Sequence, residues 1–106
     1  MCEFHKKVYL LGPKMPKRDR FGIHRTIEQV SFELMRLVIT AAFEQKDRKM
    51  EFLESARVSA EVLKRFIRMI HELNIIPLNA YFELESDLQE ISKMTNGWIK
   101  YLAAAQ

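Results

Sequence analysis

The stretch from Asp47 to Leu73 constrains this chain more than any other. Its apolar and small residues fall at Leu53, Ala56, Ala60, Leu63, Ile67 and Ile70, at spacings of three and four without a break. An α-helix returns to the same side every 3.6 residues, so this spacing predicts a helix with a buried seam. A second apolar line, Val62, Phe66, Met69 and Leu73, runs beside the first, so the helix is expected to touch at least two neighbours. Arg57, Lys64, Arg65 and Arg68 occupy the remaining turns. Such a helix is an assembly element, and none of its residues suggests chemistry.

A chain of 106 residues has room for one domain, expected over 1–106, with a single core. Hydrophobic residues make up 48% and there are only three glycines and three prolines, a balance that excludes a disordered chain. Cys2 is the lone cysteine and has no intramolecular partner. The first residues do not resemble a signal peptide, and no apolar run reaches the roughly 18 residues of a membrane span, so a cytoplasmic protein with no membrane partner is expected.

The seam has companions on both sides. Phe4, Val8 and Leu11 form a short helical pattern that Gly12-Pro13 interrupts. After Pro16 the pattern resumes at Ile23, Ile27, Val30, Leu34, Leu37 and Ala41, widened by Phe32, Met35, Val38 and Ile39. A break at Gln45 to Asp47, with Asp47 as N-cap, forces an antiparallel hairpin. Asn74 suits a C-cap, Pro77 blocks continuation and Asn79 can cap the last helix. That helix carries Tyr81, Leu84, Leu88, Ile91, Thr95, Trp98 and Leu102 on one line, with Asn96-Gly97 expected to weaken or bend it. No segment alternates like a strand. The expectation is an all-α, antiparallel four-helix bundle with a short first helix, with helices over about 3–11, 18–44, 47–73 and 80–104.

Candidate chemistry is sparse. No Glu is followed three residues later by His, the pair a di-iron bundle needs. His5, His24 and His71 are scattered without partners at ligand spacing, so surface or edge-of-core histidines, no metal and no cofactor are expected. Cys2 has no base placed near it and reads as a plain thiol. The glycines stand alone at 12, 22 and 97, which excludes a phosphate loop. The chain reads as a non-enzyme.

Basic charge sits in two blocks: six basic against two acidic residues in Met1–Arg20, and seven against four in Lys46–Ile70. Arg57, Lys64 and Arg68 share one helix face, with Arg65 one position round; Arg18, Arg25 and Arg36 follow a second line. On charge alone a solvated face is favoured, because the net charge is only +3 and Glu54 and Glu61 are placed to pair with Arg57 and Arg65. Phe66, Tyr81, Phe82, Trp98 and Tyr101 lie at core-type spacings, which favours packing over base stacking.

A longer string of residues adds to this. Met15-Pro16-Lys17-Arg18-Asp19-Arg20-Phe21-Gly22-Ile23 precedes a long helix, a short turn and a second long helix ending in His71-Glu72-Leu73. An Ile-rich loop, Tyr81 and a terminal Met94-Thr95-Asn96-Gly97-Trp98-Ile99-Lys100 complete the string. Over about Lys7 to Leu102 this resembles the four-helix-bundle family of ribosomal-RNA intervening-sequence proteins and of the accessory variability determinant (Avd) protein of diversity-generating retroelements. The Gly-Trp-Ile-Lys ending favours the Avd group. The short first helix departs from that family's long one.

The resemblance implies a homo-oligomer, a pentameric ring, that binds RNA or DNA and partners the element's reverse transcriptase. It makes Arg18, Arg20, Arg25, Arg57, Lys64, Arg65 and Arg68 the expected contacts to nucleic-acid backbone. A protein-only helical scaffold is the alternative, and a metal-dependent bundle enzyme, suggested by the fold alone, is the third reading.

Overall fold

The computed structural model describes residues 2–104 apart from the Cys2 side chain, on which the expected plain thiol falls. The predicted seam is the spine of the fold. Helix α4 spans Lys46–Glu72, and all six seam residues on it are at 0% exposure. It packs against both α3 (Ile23–Phe43) and α5 (Leu78–Ala104), which run antiparallel to it. Helix α1 (Cys2–Leu11) lies against α3 and α5 and completes an all-α, four-helix bundle 48 Å long.

A 10-residue helix rises about 15 Å, so α1 reaches along only part of that length. The main core gathers Phe4, Val8, Ile27, Leu34, Leu63, Ile67, Leu84 and Leu88 where four helices meet. At the far end only α3, α4 and α5 remain, around Ala41, Leu53 and Leu102 with Trp98 and Phe52 beside them.

Local chemistry sets the boundaries, several of which differ from the sequence expectation. The helix expected over 18–44 is two: α2 (Lys17–Phe21) stops at Gly22 and α3 restarts at Ile23. A Cβ at Gly22 would stand 3.0 Å from the Arg18 carbonyl oxygen, so a side chain there would crowd the end of α2. Asp47 is not the N-cap of α4. Gln45 occupies that position without a side-chain bond, while Asp47 sits in the first turn, where its charge faces the positive end of the helix. Asn79 does not cap α5, which opens at Leu78 directly after Pro77, with the Tyr81 amide bonded to the Pro77 carbonyl at 3.1 Å.

Asn74, in contrast, is used. Its φ of 60° is left-handed, and the Asn74 amide donates to the His71 carbonyl and the Ile75 amide to the Ile70 carbonyl, each at 2.9 Å. This pair of bonds closes α4 and turns the chain into α5.

The second apolar line of α4 does not serve the core as a whole: Met69 and Leu73 are exposed, as is Val58 nearby. The same holds on α3 for Phe32, Ile39 and Phe43, the last 89% exposed. Phe82 and Tyr101 of α5, expected to pack, are exposed too.

Helix α1 is held by polar ties. Lys7 Nζ donates to Asp87 Oδ2 at 2.7 Å and pairs with Glu83 Oε1 at 3.1 Å, bridging to α5. On the α3 side His5 Nδ1 and Ser31 Oγ share a hydrogen bond of 2.9 Å. The bond to Asp87, and then that to Glu83, hold the Lys7 ammonium above its ordinary pKa of 10.5. The tie is therefore complete below that value and is lost as pH rises through the raised one. The wild type's advantage over Asp87→Asn in urea melts is expected to stay level from neutral pH up to 10.5 and to shrink above it.

Asn96-Gly97 does not interrupt α5, which runs unbroken past it. Buried Thr95, its hydroxyl on the Ile91 carbonyl at 2.8 Å, and buried Leu102 hold the helix on either side. A Cβ at Gly97 would meet nothing within 4 Å. Gly97→Ala is expected to raise protomer stability by about 1 kcal/mol in urea melts.

Candidate nucleic-acid interface

Helical periodicity places Arg57, Lys64 and Arg68 along one side of α4, and there each meets an acid of its own helix. Arg57 Nη2 bonds Glu54 Oε2 at 2.6 Å, Lys64 Nζ bonds Glu61 Oε1 at 3.2 Å, and Arg68 Nε stands 3.9 Å from Glu72 Oε1. Glu61 thus takes Lys64 and not Arg65, a correction to the expected pairing. Positions three and four apart are both within reach on a helix, and here the nearer one is used. Arg65 is exposed and enters no ion pair among the described residues. Arg36 of α3 is tied in the same way, bidentate to Glu33 at 2.7 and 3.0 Å. That bond holds the Glu33 carboxyl below its ordinary range.

The other candidates sit at the start of α3. Arg18 and Arg20 are carried by the short α2 and Arg25 by the first turns of α3; all three are exposed and none enters an ion pair among the described residues. Arg20 and Arg25 share an open cleft of about 330 Å³ with Tyr9, Phe21, His24 and Glu28. Arg20 is oriented by Nε donating to the Gly12 carbonyl at 3.2 Å.

The cleft has a firm floor. His24, expected at the surface or core edge, is 5% exposed, and its Nε2 lies 2.6 Å from the Val8 carbonyl in the last turn of α1. A carbonyl only accepts, so Nε2 carries the proton. A Cβ on Gly12 would come within 2.8 Å of His24 Cε1, so glycine is required for the turn to close over the ring.

The remaining histidines have structural neighbours: the His5 ring lies 4.0 Å from that of Phe32, and His71 stacks on Tyr81 at 4.4 Å. Among the described residues no three His, Cys, Asp or Glu side chains gather as a metal site would require, and no helix is long and apolar enough to cross a membrane.

Comparison with known families connects these features. The sequence profile described as bAvd-like matches residues 1–102. The chain belongs to the bAvd-like family. The match takes in α1 to α4, α5 up to Leu102, and both basic sets, from Arg18 on α2 to Arg68 on α4. No curated protein and no solved structure matches the chain at a significant level.

In this bAvd-like chain Arg57, Lys64 and Arg68 are screened by glutamates of their own helix. Removing that screen with Glu54→Gln and Glu61→Gln together is expected to raise the salt concentration at which heparin, a polyanion, releases the protein. Release at unchanged salt would mean that Arg57 and Lys64 take no part in polyanion contact.

Proposed function

We propose that this bAvd-like chain is a non-catalytic, cytoplasmic accessory protein of a diversity-generating retroelement. In this reading it assembles into a homo-oligomer, with a pentameric ring as the expected form, binds RNA or DNA through phosphate contacts and partners the reverse transcriptase. The observation that carries the proposal is the family match across residues 1–102.

The geometry supports assembly. Phe32, Ile39 and Phe43 recur at spacings of seven and four along one side of α3 and are all exposed, as are Val58 and Met69 on α4 and Leu73 just past its end. Single exposed apolar residues are ordinary on a protein surface, but a line of them along a helix is what a subunit interface buries. Six of the seven candidate cations are exposed and Lys64 is partly so, which supports the nucleic-acid part, since phosphate contacts need accessible positive charge and no fixed base geometry.

One observation favours a second reading, a protein-only scaffold. Arg57, Lys64 and Arg68 already have carboxylate partners, as charges serving only solubility would.

Light scattering coupled to size exclusion, at low and high salt without nucleic acid, tests the assembly. A mass near five times 12.6 kDa is expected. A monomer at micromolar concentration would overturn the ring. Retention on immobilised RNA at physiological salt, lost on charge reversal of the candidate cations, separates the accessory protein from the scaffold.

A further inference from the structure

The geometry points to the cleft between the end of α1 and the start of α3 as a seat for one nucleotide of a single-stranded nucleic acid. Arg20 and Arg25 would take the phosphate, and Phe21 and Tyr9 the face of the base. This rests on the nucleic-acid reading above and narrows it to one place and one strand form.

Three observations carry it. The first is where free charge lies. From Lys14 to Glu28 the chain has Lys14, Lys17, Arg18, Arg20 and Arg25 against Asp19 and Glu28. None of these cations enters an ion pair among the described residues, whereas three of the four candidate contacts on α4, Arg57, Lys64 and Arg68, do. A phosphate arriving at Arg57, Lys64 or Arg68 must displace a carboxylate; at the cleft it need not.

The second is the aromatic pair. Tyr9 and Phe21 are each 62% exposed and line the same cleft as the two arginines. Exposed rings beside unpaired guanidinium groups form the combination that binds single strands, because every base offers a π-face and every nucleotide a phosphate.

The third is preorganisation. The bond from Arg20 Nε to the Gly12 carbonyl fixes that side chain, while its two terminal nitrogens have no partner among the described residues. That planar fork matches phosphate oxygens, and holding it in advance reduces the entropy lost on binding. Buried His24 and the side-chain-free Gly12 keep the floor rigid beneath it. Bases inside a duplex are stacked and paired, so their faces cannot reach Phe21; the cleft therefore discriminates against duplex.

The test is fluorescence anisotropy of the full chain with labelled oligothymidine, labelled oligouridine and a duplex of equal length. Phe21→Leu keeps bulk and loses the ring, and Tyr9→Leu does the same from the other wall. Each is expected to weaken single-strand binding at least about fivefold on one or both oligomers, leaving duplex binding and the thermal melt unchanged. Arg25→Gln is expected to reduce the salt slope on single strands by about 0.7.

Single-strand binding unaffected by all three substitutions but abolished by charge reversal at Arg57, Lys64 and Arg68 would overturn the cleft and leave the broader reading standing. Equal loss on single strand and duplex from Phe21→Leu would also overturn it. A wild-type chain that binds none of the three probes would remove the nucleic-acid reading, and the cleft with it.

Discussion

Everything in this bundle depends on one seam of α4. Leu53, Ala56, Ala60, Leu63, Ile67 and Ile70 lose all contact with solvent, and they do so against two helices at once. The two alanines sit between branched residues where a larger side chain would push a neighbour away, and close-packed interiors tolerate little such excess. Because both hairpins share this helix, the positions of α3 and α5 derive from it. So does the groove into which α1 drops Phe4 and Val8.

With the seam turned inward, the rest of α4 must face outward, and three of its cations are paired with acids of the same helix. Glutamates stand three residues before Arg57 and Lys64 and four after Arg68. Such exposed pairs add little stability, but they dilute the field a polyanion feels. The region around α2 is arranged differently, with five basic residues against two acids and one guanidinium held by a backbone carbonyl. The two basic blocks of the chain are thus unequal in availability once the chain folds.

The core was legible from the sequence because burial on a helix has a period. The seam, its partner lines through Leu34 and Leu88, and the all-α class all rest on spacings of three and four. The features that were not legible depended on geometry across the chain. The apolar lines at Phe32 to Phe43 and at Met69 to Leu73 have the same period as core and differ only in which way the helix turns. His24 carries no local sign that an end carbonyl of α1 awaits it. At the candidate site the arginines could be named, since charge and the Pro-x-x-x-Arg-Phe-Gly string are local. Tyr9 carries no such local sign, because only the turn over Gly12 to Pro16 brings it to Phe21 and Arg20. Nor could sequence spacing decide whether Glu61 would take Lys64 or Arg65.

The short α1 has a kinetic side. The α3 and α4 helices close over a two-residue connection and α4 and α5 over five. The Lys7–Asp87 bond joins residues 80 apart. By the logarithmic growth of loop-closure entropy, that bond costs about 2 kcal/mol more to close than the α4–α5 turn. Helix α1 meets α3 much sooner along the chain, through His24 and Val8 at 16 residues and His5 and Ser31 at 26, so once it is docked there only the tie to α5 spans the long separation. Both hairpins and the α1–α3 contact are local in sequence, a pattern that favours fast folding, and the Lys7 tie to α5 is the long-range exception.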